Sequence, residues 1–168
     1  MKNVVSKKSN RRPSLFARVV ALIEEARQKV ASVANLAQVY TNYEIGRQIV
    51  EEEQGGKRRA DYGKQVLIDL SSRLSSRFGR GFSVDNLQNM RSFYLAYSAI
   101  EIYETPSSKS SGENYETLSR KFTLSWSHYV LLMRISDPVE RAFYEREATQ
   151  GNWSFRQLER MYRTSTFE

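Results

Sequence analysis

The sequence predicts an all-α fold: a helical bundle with a long N-terminal helix and helix-turn-helix-like units. Two observations carry this prediction. Apolar residues recur at helical spacing in the segments that are rich enough in them to form a core. No segment alternates apolar and polar residues in the way that a half-buried strand requires. Glycine, proline and serine lie where the helical patterns stop, and they mark the connections.

The first helix is the longest predicted element. Residues 1–13 are polar, basic and free of acids, so they are expected to form a disordered basic arm. Apolar positions then keep helical spacing from Ser14 to about residue 52, just before Gly55-Gly56. This is one helix of roughly 38 residues, or two helices that break near 31–35. Because so long a helix rarely packs alone, a partner helix from a second subunit is expected, which favours a homodimer.

Five further helices follow, at about 62–78, 84–103, 124–135, 138–150 and 155–163. The turn Gly79-Arg80-Gly81 separates the second helix from the third, and Ser83 is the expected N-cap of the third. Ser154 and Gln157 predict a capping box at the sixth. Residues 105–121 are rich in serine and glycine and predict an exposed loop, and 165–168 form a short tail. We therefore expect one all-α domain over 14–164.

The composition excludes several classes of function. The chain has no cysteine and one histidine, His128, so disulfides, thiolate metal sites and multi-histidine metal sites are excluded. His128 is expected to be a hydrogen-bonded core residue, and Glu51, Glu52 and Glu53 a solvated helix end. No catalytic residue, cofactor or metal is therefore predicted. No stretch of about 18 apolar residues could span a membrane, and a cytoplasmic location is expected.

The positive charge is concentrated in two places. The net charge is +7, and residues 1–20 contain six bases and no acid, which leaves +1 on the remainder. Within that remainder, residues 54–91 contain eight bases against three acids. This second concentration surrounds the glycine turn and is typical of a phosphate-binding patch, although scattered solvated arginines would give the same count.

The glycine turn and the third helix form the candidate DNA-binding face. Arg77, Arg80 and the basic loop of Lys57, Arg58 and Arg59 would hold phosphates. The outward side of the third helix would meet base edges in the major groove with Gln88, Asn89, Arg91 and Ser92. A capped helix in an ordinary bundle would carry the same polar face. A second basic face, at helical spacing, consists of Arg156, Arg160 and Arg163.

Several motifs give the chain a family resemblance. They include Phe78-Gly79-Arg80-Gly81-Phe82-Ser83, Ser125-Trp126-Ser127-His128 and Asn152-Trp153-Ser154. With these motifs, residues 14–163 resemble the N-terminal domain of the YhcG-type bacterial family, a domain of unknown function (DUF1016). The resemblance implies a helical, helix-turn-helix-like DNA-binding domain, normally followed by a nuclease domain of the PD-(D/E)xK superfamily. That second domain is absent from this sequence, so nuclease activity is not carried over and the chain is not predicted to be an enzyme.

Two functional hypotheses follow. The first is a DNA-binding module of a bacterial nuclease-associated protein, which binds duplex or structured DNA through the basic face around the turn. The alternative is a dimerisation or protein-interaction module that positions a separate nuclease or partner subunit.

Overall fold

The computed structural model describes residues 14–55, 60–101 and 122–164. These ranges contain six helices and no strand, which confirms the all-α prediction. The predicted basic arm, the loop residues 57–59, the loop 105–121 and the tail lie outside the described residues. The helices are α1 (Leu15–Gly55), α2 (Ala60–Phe78), α3 (Val84–Glu101), α4 (Trp126–Leu132), α5 (Pro138–Gln150) and α6 (Phe155–Arg163).

The long first helix is confirmed, and it runs for 41 residues without a break. By internal contacts the chain divides into two units, Met1–Ala34 and Asn35–Glu168. The described residues of the first unit are the N-terminal part of α1, and nearly all of their side chains are exposed. In the second unit α1 contributes buried residues at helical spacing, which are Val39, Asn42, Tyr43, Gly46, Ile49 and Val50.

Two apolar clusters form the core of the second unit. The larger is aromatic: Phe93 of α3 contacts the rings of Tyr43, Phe122 and Tyr129. The smaller brings Ile49 and Leu67 against α3 beneath its N-terminal half. The side chain of Trp126 packs against both clusters, so α4 bridges them.

A glycine allows α1 and α3 to approach closely. A Cβ atom on Gly46 would lie 2.0 Å from the carbonyl oxygen of Met90 and 3.1 Å from the Cβ of Tyr94. No side chain fits in that space, so glycine at this position sets the distance between the two helix backbones.

Most helix ends follow the sequence prediction. The Ser83 hydroxyl accepts from the Asn86 N–H at 3.2 Å, and Ser154 and Gln157 form the predicted capping box. The fourth helix is shorter than predicted. Ser125 is extended and precedes α4, and past its end the N–H groups of Arg134 and Ile135 bond carbonyls three residues back. That tight turn ends the helix before Asp137 caps α5.

Candidate nucleic-acid interface

The turn between α2 and α3 is built on two glycines. Gly79 has φ +80° and its N–H closes α2 by donating to the Ser75 carbonyl at 3.0 Å. Gly81 has φ +110°, a conformation that side-chain-bearing residues rarely adopt. This path leaves Arg80 exposed at the tip of the turn. Arg77, in the last turn of α2, is also exposed, and its guanidinium lies 5.3 Å from the centre of the Phe78 ring.

Asn86 fixes the turn to the rest of the molecule. Its side-chain Nδ2 donates to the Gly81 carbonyl at 2.6 Å, and its Oδ1 accepts from the Trp126 indole N–H at 3.0 Å. One amide therefore joins the turn, the first turn of α3 and α4. Nothing local in the sequence marks Asn86 for this role, because its partner Trp126 lies 40 residues away.

The predicted base-reading residues on α3 differ in their surroundings. Gln88 is exposed, and Asn89 and Ser92 are half-buried. Arg91 is half-buried and donates through Nε to the Glu53 carboxylate at 2.7 Å. The structure thus places Gln88, Asn89 and Ser92 on one polar surface and ties the Arg91 guanidinium to the end of α1.

The same ion pair corrects the expected solvated end of α1 at one of its three acids, Glu53. Glu53 is held by Arg91, and Glu52 accepts from the Tyr62 hydroxyl at 3.1 Å. Glu51, which pairs with its intrahelical neighbour Arg47, and Glu52 are both exposed as predicted, and Glu53 is half-buried. The acids therefore join α1 to α2 and α3, an effect that a run of three glutamates does not reveal locally.

A cleft of about 300 Å³ opens beside the polar surface, between α3, α4 and α6. Trp126, Leu131 and Phe155 provide apolar walls, and Asn86 and Asn89 lie on the α3 side. Arg134 lines the cleft as an exposed residue, and its guanidinium bonds no carboxylate within the described ranges. Sequence reasoning missed Arg134, although Ser127, Leu131 and Arg134 have the i, i+4, i+7 spacing of one face in the helix predicted over 124–135.

The second predicted basic face lies on α6. Arg156, Arg160 and Arg163 are all exposed. Arg163 donates to Glu159 one turn away at 2.9 Å, whereas Arg156 and Arg160 pair with no acid in the part of the chain that the structure describes. Two guanidinium groups on this face therefore remain available to an anion.

His128 is a core residue, as predicted. It is buried, its Nδ1 lies 2.6 Å from the Ser125 hydroxyl, and its Nε2 lies 3.0 Å from the Trp153 carbonyl. Since a carbonyl only accepts, Nε2 carries the proton. The Nδ1 contact stays at the N-terminal end of α4, and the Nε2 bond joins α4 to the segment before α6.

The strongest electrostatic perturbation lies in the core, away from these surfaces. The Tyr97 hydroxyl donates to the Glu145 carboxylate at 2.8 Å. Burial raises the pKa of Glu145, and the hydroxyls of Tyr97 and Tyr129 with the Arg141 charge oppose that rise. Burial, with the nearby Glu145 charge, also raises the pKa of Tyr97. Among the described residues there is no cluster of three or more histidines or acids that could hold a metal ion.

Comparison with known proteins identifies the family. Residues 18–168 match the DUF1016 N-terminal domain. The chain belongs to this family. It is 39% identical over 165 residues to an Escherichia coli (strain K12) protein named "Putative nuclease YhcG". That alignment covers 89% of this chain and 44% of the relative, so the chain spans less than half of the relative's length.

No solved structure matches significantly. The matched region is the N-terminal domain of a family that includes a nuclease-named member. No helix in the described ranges combines the length and apolar character that a membrane crossing needs.

Proposed function

We propose that this chain is a DNA-binding module of a nuclease-associated protein and that it holds DNA through the α2–α3 turn and the polar surface of α3. One observation carries the proposal: Asn86 fixes the turn that leads into the N-terminus of α3, and Arg77 and Arg80, before and within that turn, are exposed. Guanidinium groups beside a helix N-terminus bind phosphates, and Asn and Gln side chains bond base edges.

Gln88, Asn89 and Ser92 face the DNA in this proposal. Lys57, Arg58 and Arg59 add phosphate contacts, and Arg156 and Arg160 extend the basic surface. The role of Arg91 is different, because its bond to Glu53 fixes α3 to α1. Removal of the Arg91 side chain therefore changes the position of the DNA-binding face as well as the charge of that face.

A salt titration tests the proposal. Fluorescence anisotropy with a labelled duplex, measured over a series of salt concentrations, should give an affinity that falls linearly on a log–log plot. Arg77→Gln with Arg80→Gln should reduce the slope by about 2 and leave the melting temperature unchanged. Arg146→Gln is the matched control, because Arg146 is an exposed arginine on α5. Absence of binding at low salt, or an affinity indifferent to salt, would exclude DNA binding by this face.

A second candidate function is dimerisation, and the exposed apolar face of α1 favours it. Phe16, Ile23 and Val30 are 78%, 48% and 70% exposed and recur every seven residues. Val19, Ala26 and Val33 alternate with them at spacings of three and four, which completes the a and d positions of a heptad repeat. The b, c and f positions of 15–28 carry alanine and the polar residues Arg18, Glu24, Glu25 and Gln28.

A second copy of the same helix fits such a face, since a heptad stripe is self-complementary. In a parallel pair, Arg27 would lie across from Leu22 and Lys29 from Ala34, so no like charges meet. Such a dimer would present two DNA-binding faces, or would position a separate nuclease subunit.

Sedimentation equilibrium tests this second candidate. The parent should sediment as a dimer, and Ile23→Glu with Val30→Glu should sediment as a monomer with unchanged helicity. Gln28→Glu adds a charge at an f position and should leave the dimer intact. If the parent protein were monomeric at every concentration used, the homodimer would be ruled out.

A further inference from the structure

The function proposed above assigns no ligand to the cleft between α3, α4 and α6. Its volume of about 300 Å³ is at the lower end of the range of small-ligand sites. Its apolar walls include the rings of Trp126 and Phe155. A flat ligand that contacts aromatic rings would fit such walls better than a branched aliphatic one.

Two polar groups at the cleft have no partner among the residues that the structure covers. The Asn89 amide is half-buried on the α3 side, and it offers a donor and an acceptor. The Arg134 guanidinium offers donors and a positive charge. None of the described residues that line the cleft is acidic. The ligand that complements all three features is flat, has both donors and acceptors on its edge, and carries a negative charge.

We propose that this cleft binds an unpaired nucleobase, with Asn89 on the base edge and Arg134 on the adjoining phosphate. Aromatic side chains take unstacked bases in single-stranded recognition, whereas bases inside a duplex keep their faces covered. The inference rests on the proposed DNA binding and narrows its substrate class: the module would prefer single-stranded or branched DNA to a continuous duplex.

Asn86 connects the cleft with the phosphate-binding turn. It lines the cleft, and the same side chain bonds the Gly81 carbonyl and the Trp126 indole. A strand held at Arg80 would therefore lie beside the cleft mouth.

Three labelled DNAs compared by anisotropy at one salt concentration test the preference. They are a thymidine oligonucleotide of about 12 nucleotides, a blunt duplex of the same length and a forked duplex, within the range of known single-strand site sizes. The single strand and the fork should bind about tenfold more tightly than the duplex. Equal affinity for all three would overturn the inference while leaving the proposed DNA binding in place.

Variants at the cleft distinguish its contribution to DNA binding from that of the turn. Arg134→Gln should weaken single-strand binding about tenfold and change duplex binding less than twofold. Asn89→Ala should weaken binding of all three DNAs, because Asn89 also belongs to the proposed DNA-binding face, but it should weaken single-strand binding the most. Arg134 is exposed, so its variant does not depend on a change in the core, and Arg146→Gln is its matched control. Equal losses on all three DNAs, or no loss on any, would overturn the inference.

Two further outcomes of these experiments have different consequences for the proposed function and for this inference. If none of the DNAs binds at low salt, both the proposed function and this inference fail. A peptide with a C-terminal phenylalanine offers the same combination of ring and negative charge. If such a peptide binds in an Arg134-dependent manner and the oligonucleotide does not, the cleft is a protein-docking site and the inference is overturned.

Discussion

Replacing Gly46 with alanine would place a methyl group where α1 and α3 cross. The new Cβ would lie 2.0 Å from the Met90 carbonyl oxygen and 2.7 Å from its carbonyl carbon. Contacts below 3.0 Å are essentially never observed for a Cβ atom, so the two helices must separate by about 1 Å or more. Both obstructing atoms belong to the backbone, and a rotamer change therefore cannot relieve the clash.

The size of the effect follows from two opposing terms. Overpacking a core contact costs about 1–3 kcal/mol, and a clash between two backbones lies at the upper end of that range. Alanine in place of glycine inside a helix stabilises the helix by about 1 kcal/mol. The net loss in unfolding free energy is then about 2 kcal/mol. For a domain of this size that corresponds to a melting temperature lower by about 4–8 °C.

Urea denaturation followed by circular dichroism measures this loss, and Gly55→Ala provides the matched control. Gly55 lies in the same helix, and among the described residues a Cβ there would have no heavy atom within 4 Å outside the helix's own backbone. The control should stay within about 0.5 kcal/mol of the parent or gain stability. If Gly46→Ala were as stable as Gly55→Ala, the close crossing of α1 and α3 would be wrong.

Three further substitutions probe other contacts. Burial raises the pKa of Glu145, so its contribution to stability is present below its unfolded pKa and is lost as pH rises through the native value. Glu145→Gln should therefore gain stability relative to the parent as pH rises from about 4 to 8, and denaturation at several pH values would show an opposite trend if this reasoning failed. Gly81→Ala should cost about 1–3 kcal/mol, because φ +110° strains alanine; a thermal melt matching that of Arg80→Ala would contradict it. Arg91→Ala leaves the Glu53 carboxylate unpaired at 19% exposure, and a double-mutant cycle with Glu53→Ala should return a coupling of about 0.5–3 kcal/mol. Additive losses would show that the ion pair does not hold α3.

The fold could largely be predicted because its determinants are local. Helical periodicity, the Ser154 capping box and the positive-φ glycines act within a few residues, and they gave the helices and most of their ends. The predicted fourth helix was too long at its C-terminal end. Apolar spacing continues to Ile135, whereas the backbone hydrogen bonds tighten after Leu132. Spacing alone does not distinguish the last α-helical turn from a tight turn that buries the same side chain.

The candidate site was only partly predictable, since its geometry depends on distant pairs. The exposed Arg77 and Arg80 could be inferred from a turn between helices. The bonds from Arg91 to Glu53 and from Trp126 to Asn86 join residues 38 and 40 positions apart, and no periodicity encodes them. For the same reason the cleft, which three helices line, could not be seen in any one segment.

The amide of Asn86 that fixes the turn is uncharged, and this has a practical consequence for binding measurements. Added salt screens attractions between charges, but it has little effect on a hydrogen bond between neutral groups. The turn and the indole should therefore keep their arrangement across the whole range of an ionic-strength titration. A decline in affinity over that range would therefore reflect counterion release at the ligand contacts and not a rearrangement of the turn.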